Sequence, residues 1–402
     1  MIVELQLTNY RGFRSHTIPF RNTSIIVGPN NAGKSTIIEA LRLLSIVTSR
    51  FGSVNFNEVP RWLDAPRSYR GFSPSLKGID FNDKSIFYRL GEPPAEVKAT
   101  FNNGVIVNIY IGRDADVFAV VMDEQGKIIT TKGQAQRILL PSIGILPQVT
   151  PIQREELLLT TDYARRVIPA TWSPSHFRNQ IHLYHEYYDE MKRLVETTWK
   201  DLRIVDFEIV GDIPQAQLML TLYDSSFGTE AGWVGHGLQM WLQTMWFLAR
   251  SHDNASIILD EPDVYMHADL QRKLIRLLKA LDKQVIVATH SVEIISEVEP
   301  AEILVVNRRS PKSGFADSVP YVQSLIRSIG SVHNLQLARI WSTHKIVLVE
   351  GPDDVEYLRI IHRILFPKSP DSFDNIPIVP LGGWRRALQN EGQRLPVAVL
   401  TV

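Results

Sequence analysis

The sequence contains no cysteine among its 402 residues. That excludes disulfides, thiolate nucleophiles and Cys-based zinc or iron–sulfur sites, and it fits a reducing, cytoplasmic setting. An excess of either charge is also missing: 43 Lys and Arg balance 43 Asp and Glu, a formal net charge of zero. Any nucleic-acid binding must therefore come from local basic patches and not from a global field. No apolar run approaches the roughly twenty residues of a membrane helix, so no membrane partner is expected. The first ten residues alternate as a strand and carry no targeting signal. Internal repeats and low-complexity linkers are absent too. What remains is an ordinary globular composition, 44% hydrophobic, with length for about two to three domains.

Against that plain background stands Gly28-Pro29-Asn30-Asn31-Ala32-Gly33-Lys34-Ser35, a complete G-x-x-x-x-G-K-[ST] phosphate loop. It follows the apolar run Ile25-Ile26-Val27 and precedes a helix-like stretch over 36–44, the context the motif demands. The glycines let successive backbone N–H groups point at phosphates, backed by the positive end of the following helix. Lys34 would reach the β- and γ-phosphates and the Ser35 hydroxyl would ligate Mg²⁺, with residues Asn30 to Thr36 cradling the nucleotide. The motif points to nucleoside triphosphate binding.

Strand-like patterns at 2–7 and 16–20 lead into the loop, and a β-rich region follows the first helix. Residues 96–101 and 105–111 flank Asn102-Asn103-Gly104, while 117–122 and 127–131 flank a turn ending in Gly126; both are hairpin signals. Residues 50–84 read as a loop-rich insertion. Phe177, Ile181, Tyr184, Tyr188, Met191 and Val195 recur at helical spacing within 176–200, a stripe expected to face core or a partner helix. From Ile204 to His290, alternating strands and helices predict a mostly parallel sheet covered on both faces. The basic, Pro-containing stretch over 307–318 is the expected joint.

A second chemical cluster is Ile257-Ile258-Leu259-Asp260-Glu261-Pro262, an aliphatic strand ending in two carboxylates, with the pattern of a Walker B strand. Asp260 could hold Mg²⁺ and Glu261 could polarise a water for attack on the γ-phosphorus; a surface acidic turn is the bland alternative. Another apolar strand, 284–288, ends in Thr289-His290-Ser291, where His290 could meet the γ-phosphate or be an ordinary polar terminus.

These elements in this order resemble the ABC-type ATPase head shared by SMC, RecF and OLD proteins. Asn9-Tyr10-Arg11-Gly12-Phe13 is similar to their N-terminal motif, His290 matches the switch histidine, and 264–271 (VYMHADLQ) resembles the D-loop with its following helix. Gly235-His236-Gly237-Leu238-Gln239 sits where the signature lies. Gly237 and Gln239 match it, whereas His236 stands in the place of its serine and Leu238 in that of its second glycine. Gln148 is a Q-loop candidate that could equally be a loop residue. The resemblance implies ATP and Mg²⁺ as cofactors and a head-to-head homodimer, or a higher homo-oligomer, with ATP at the interface. Residues 50–200 are too short and too β-rich for a long coiled-coil arm, which argues against the SMC branch.

After 345–349, an apolar strand, come Glu350-Gly351-Pro352-Asp353-Asp354 and a helix carrying Val355, Leu358, Ile361 and Leu365. This resembles the start of a Toprim domain, with Glu350 and Asp354 matching its first metal-binding carboxylates; a plain helix cap is the alternative. Residues 376–380 and 396–401 read as the next strands. The family's Asp-x-Asp pair is not reached by Val402, and the expectation is therefore an incomplete Toprim domain. The implied protein is an OLD-family ATPase-nuclease similar to Gabija-type and retron-linked anti-phage effectors, cutting DNA with Mg²⁺ or Mn²⁺ and working with an operon-encoded defence partner. Arg308, Arg309, Lys312, Arg385 and Arg386 could contact phosphate or be solvated surface. Two other readings stay open, an ATP-gated sensor or scaffold holding a separate effector and a RecF-like repair ATPase. The expected architecture is α/β: an ATPase head over 1–342 with an antiparallel β lobe and helical segment, and the beginning of a Toprim domain over 343–402.

Overall fold

The computed structural model describes residues 1–76, 85–162, 176–212, 215–225, 227–316, 345–349, 352–367, 378–380 and 397–401. In chain order, β1 (Ile2–Tyr10), β2 (Phe13–Pro19) and β3 (Thr23–Val27) lead to α1 (Lys34–Arg50), then β4 (Asn57–Glu58), β5 (Arg70–Gly71), β6 (Ala95–Phe101), β7 (Ile106–Ile111) and β8 (Val117–Met122). There follow α2 (Lys132–Ala135), β9 (Ile143–Leu146), α3 (Phe177–Leu183), α4 (Tyr188–Thr198), β10 (Leu202–Val210), β11 (Gln217–Asp224), β12 (Phe227–Glu230) and α5 (His236–Ala249). The remaining elements are β13 (Ser256–Asp260), α6 (Ala268–Lys279), β14 (Gln284–Ala288), α7 (Val292–Ser296), β15 (Ile303–Val305), β16 (Gly314–Phe315), β17 (Lys345–Val349), α8 (Pro352–Leu365), β18 (Ile378–Pro380) and β19 (Val397–Thr401). They form two compact units, residues 1–27 with 31–315, and residues 28–30 with 316–402.

The first unit is built on two main sheets. One is antiparallel, in the order β2-β1-β6-β7-β8. Its β6–β7 hairpin turns at Gly104, whose φ of +78° favours glycine. The turn after β8 also forms, with the Asp123 side chain accepting from the Lys127 N–H at 2.9 Å. Its return arm, expected as a strand over 127–131, is instead a single bridge between Met122 and Ile128. Thr131 caps α2 in a reciprocal box with Gln134, so the chain leaves the sheet to start a helix.

The other sheet runs β16-β15-β3-β14-β13-β9, parallel except for β16. Ile25, Ile26 and Val27 of β3, Ile257, Ile258 and Leu259 of β13 and the whole of β14 are buried. Such unbroken apolar runs suit strands covered on both faces. The parallel sheet expected over 204–290 needs correction. Residues 202–230 form an antiparallel meander, β10-β11-β12, and the parallel sheet draws in β3, β9 and β15 from elsewhere. The period of β11 explains it: Leu218, Leu220 and Leu222 are buried while their neighbours are half-buried or exposed, the alternation of a one-sided antiparallel strand.

The helical stripe over 176–200 exists as two helices, broken at Tyr184 (φ −117°, ψ 49°) and bridged by a 3₁₀ turn. Phe177, Ile181, Met191 and Val195 are fully buried, so the stripe is core. It packs on α5, which is buried along nearly its whole length and whose polar members Gln239, Gln243 and Thr244 are buried with its apolar ones. The two buried indoles of α5 find polar partners there: Trp241 Nε1 donates to Thr198 Oγ1 at 3.0 Å and Trp246 Nε1 to Gln180 Oε1 at 3.3 Å.

In the second unit β17 is the central strand, parallel to β18 and antiparallel to β19, with α8 following β17. Among the described residues no helix is long and apolar enough to cross a membrane.

Candidate nucleotide site

The C-terminal ends of parallel strands are where open α/β sheets place ligands, and here that edge collects the chemistry. Beyond β3 the chain turns into α1, which starts at Lys34, two residues earlier than its apolar periodicity indicates. Gly33, at the helix N-cap, has φ +109°, and a Cβ there would lie 2.4 Å from the Phe13 ring. Both the backbone and the covering ring therefore demand glycine. Asn31 is also left-handed, at φ +64°. Asn30, Asn31 and Ser35 are exposed, Thr36 is half-buried, and Ala32 and Lys34 are buried. Burial pulls the Lys34 ammonium below its usual range, opposed by the carboxylates of Glu261 and Asp260.

β13 carries Asp260 to the same edge, in register with Ala288 of β14. Glu261 follows in the left-handed region, φ +46°, held there by its N–H donating to the Ala288 carbonyl at 2.8 Å. Strain of this kind at a carboxylate is characteristic of functional sites. His290, just beyond β14, places Nε2 3.9 Å from Glu261 Oε1. Gln148, just beyond β9, donates weakly from Nε2 to Glu261 Oε2 at 3.4 Å. Burial, then the neighbouring charge of Glu261, push Asp260 up to about 6, with Arg42 and Lys34 opposing. Burial and the positive charge of Lys34 lower His290, opposed by Glu261, which favours a neutral imidazole able to donate one hydrogen bond.

The donor set is all oxygen: the Ser35 hydroxyl and the carboxylates of Asp260 and Glu261. Among the described residues no three His, Asp or Glu side chains converge to hold a metal alone. Magnesium commonly takes one or two protein oxygens and completes its shell with phosphates and water. The residues therefore fit a magnesium nucleotide better than a free ion.

The segment after Glu261 is fixed by a network the motifs did not reveal. Thr289 Oγ1 donates to Asp263 at 2.5 Å, Gln271 Nε2 donates to the carbonyls of Asp263 and Met266, and Ser291 Oγ donates to Gln271 Oε1. Asp263 stands two residues past Glu261, so its position was a visible signal. Arg11 forms a fork onto Glu39 of α1, with Nη2 2.5 Å from Oε1. The signature-like turn adjoins this segment: a Cβ on half-buried Gly237 would sit 3.0 Å from the Tyr265 carbonyl, and the exposed His236 meets the Tyr265 ring edge-on at 5.4 Å.

Gln239 requires correction as a nucleotide contact. It is 2% exposed. Its Oε1 accepts from the Ile152 N–H at 2.7 Å, and its Nε2 donates to the carbonyls of Gly232 and Val234. A buried amide so engaged joins loop to helix and has no capacity left for a phosphate. Arg308, Arg309 and Lys312 are exposed. Asp354 lies half-buried in the first turn of α8, whereas Glu350, Arg385 and Arg386 fall outside the described residues.

Over part of its length the chain is similar to Structural maintenance of chromosomes protein 1 of Schizosaccharomyces pombe, 32% identical over 87 residues, or 21% of this chain and 6% of that protein. Among solved structures it is similar to an SmcHead bound to the C-winged helix domain of ScpA, with 13% identity, a TM-score of 0.50, and 78% of this chain and 97% of that one covered. It is also similar to the Smc head domain with an extended coiled coil from Pyrococcus furiosus, bound to the C-terminal domain of ScpA: 14% identity, TM-score 0.49, with 82% and 99% covered. The likeness to the SmcHead structure shows the fold, that of an Smc-type head. The profile of the family described as "AAA domain, putative AbiEii toxin, Type IV TA system" matches residues 24–296, more than half of the sequence, and the chain belongs to that family.

Proposed function

We propose that this chain hydrolyses ATP at the Lys34–Asp260–Glu261–His290 edge, and that two copies meet head to head to do so. The observation that carries the reading is the convergence of Lys34 at the start of α1, the strained Glu261 and His290 at the ends of adjacent parallel strands. Lys34 and the loop N–H groups hold the phosphates. Glu261 accepts a hydrogen bond from the attacking water and takes its proton, His290 donates to a γ-phosphate oxygen, and Gln148 steadies Glu261. Ser35 and Asp260 would hold magnesium, which would supply positive charge against the developing negative charge. Phosphate release from ATP in the presence of Mg²⁺ tests this: Asp260→Asn should lose turnover, and undiminished release would contradict it.

The surface around His236 and Tyr265 supports pairing of heads, since both side chains are exposed beside the nucleotide edge. His236→Glu would place a negative charge against a partner's triphosphate and should reduce ATP-dependent dimers in sedimentation with a non-hydrolysable analogue. Unchanged assembly would remove this surface from the interface.

The finer reading is an OLD-type protein of anti-phage defence, acting in the cytoplasm, in which the ATPase governs metal-dependent DNA cleavage. Support comes from the β17–α8–β18 unit, a parallel βαβ arrangement that carries Asp354 at the start of its helix. Glu350→Ala should abolish Mg²⁺- or Mn²⁺-dependent plasmid nicking and spare ATP turnover. Nicking that survives the substitution would remove Glu350 from that chemistry.

A further inference from the structure

The turn between β1 and β2 opens onto a cleft of about 700 Å³ whose lining includes Arg11, Arg14, Tyr88, Arg89, Arg308 and Arg309. These five arginines come from three distant stretches of chain, and among the described residues none that lines the cleft carries a carboxylate. Arg14, Arg89, Arg308 and Arg309 are exposed, and among the described residues none of the four has an ion-pair partner. Arg11 is paired with Glu39, but the other four gather like charges that repel one another, and an anion in the cleft would relieve that repulsion.

The walls are held in place by hydrogen bonds. Asn9 fastens the Tyr88–Arg89 segment: its Oδ1 accepts from the Tyr88 N–H at 3.1 Å and its Nδ2 donates to the carbonyls of Glu92 and Pro94. The Arg11 N–H donates to the Ile86 carbonyl. On the other side His16 Nδ1 meets the Ser310 carbonyl at 2.7 Å, and the Thr17 N–H donates to the Pro311 carbonyl at 3.0 Å. Asn9, Arg11 and Arg89 all have φ between +51° and +54°, strained conformations that the surrounding bonds must maintain. Arg11 is further braced by its fork onto Glu39.

We infer that this cleft grips the phosphodiester backbone of a nucleic-acid strand. The inference rests on the reading of DNA as a partner and says where it docks. Guanidinium forks match phosphate oxygens bidentately. The cleft is far larger than one phosphate requires, and its charge is spread over three walls, as a run of several phosphates would need. No residue from Asn31 to Thr36 lines it, so it is distinct from the nucleotide loop.

The test is equilibrium binding of a fluorescently labelled DNA single strand to the protein in EDTA, followed by anisotropy across a salt series. Replacing Arg14, Arg308 and Arg309 together by Gln should weaken binding at least about tenfold. It should also flatten the slope of log affinity against log salt by about two units, at roughly 0.7 for each phosphate that an arginine no longer neutralises. The same three positions as Lys should keep the slope. All three side chains are exposed, so the fold is retained, which an unchanged KM for ATP checks. Unchanged affinity and slope in the Gln variant would overturn the proposal. So would a parallel rise in the KM for ATP, which would place the cleft in the nucleotide site. Inorganic pyrophosphate tests the other source of phosphate: if it binds as tightly as the strand and the Gln variant loses it, the site serves a free polyphosphate and the proposal fails. Because binding is read without cutting, absence of nuclease activity does not affect the result, and unchanged binding leaves the ATPase reading intact.

Discussion

Glu261 and His290 face each other with Oε1 and Nε2 3.9 Å apart, though they follow different strands and belong to different motifs. The parallel register that sets Asp260 beside Ala288 brings them together, and Lys34 acts electrostatically on both. His290 should therefore act on the γ-phosphate and not on nucleotide affinity. His290→Ala should lower kcat by about 10²–10³ with little change in KM, the effect of losing one transition-state donor. Steady-state ATP hydrolysis measures it; a rise in KM at constant kcat would assign His290 to ground-state binding.

Gln239 should behave as a structural residue. Gln239→Ala leaves the Ile152 N–H and the carbonyls of Gly232 and Val234 without their partner in a buried setting. The expected cost is about 1–3 kcal/mol of stability. Denaturant unfolding should show it, while ATP turnover below the transition stays within about twofold. A large loss of ATP-dependent turnover at unchanged stability would restore Gln239 to the signature role.

The phosphate loop and the apolar strand before Asp260 were readable because each is a contiguous pattern with a local physical cause. What could not be read was contact between distant stretches. The Phe13 ring over Gly33, the Thr289–Asp263 bond and the meeting of Gln148 with Glu261 depend on strand order, which one sequence does not state. Gln239 misled because motif position is visible and burial is not. Thr131 misled because threonine suits a strand by its branched side chain and a helix cap by its hydroxyl, and here the box with Gln134 prevails. The arginine cleft was legible only as scattered basic residues, for its members become neighbours through hydrogen bonds at Asn9 and His16.

His16 makes stability depend on pH in a direction that can be stated. It is 1% exposed, stacks on Phe13 at 4.5 Å, and bridges the Ser310 carbonyl and Ser313 Oγ. Burial lowers its pKa below the usual 6.5, with the hydrogen bond to Ser310 opposing. The unfolded chain thus takes up a proton first as pH falls. The stabilisation is complete above about pH 6.5 and is lost as pH falls through the folded-state value. His16→Gln should be less stable than the parent at neutral pH but should lose less stability between about pH 7.5 and 5.5. Denaturant midpoints at both pH values decide it; equal losses in the two proteins would remove His16 as the cause.

The most direct test of the account is ATP binding and hydrolysis measured side by side in Glu261→Gln and Lys34→Ala. With Glu261 activating the water and Lys34 holding the phosphates, Glu261→Gln should bind Mg·ATP within a few-fold of the parent and lose about 10²–10⁴ in turnover, whereas Lys34→Ala should lose binding and turnover together. If Glu261→Gln abolished ATP affinity as fully as Lys34→Ala, or kept its turnover, Glu261 would not be the catalytic carboxylate and the edge that joins it to Lys34 and His290 would not be the hydrolytic site.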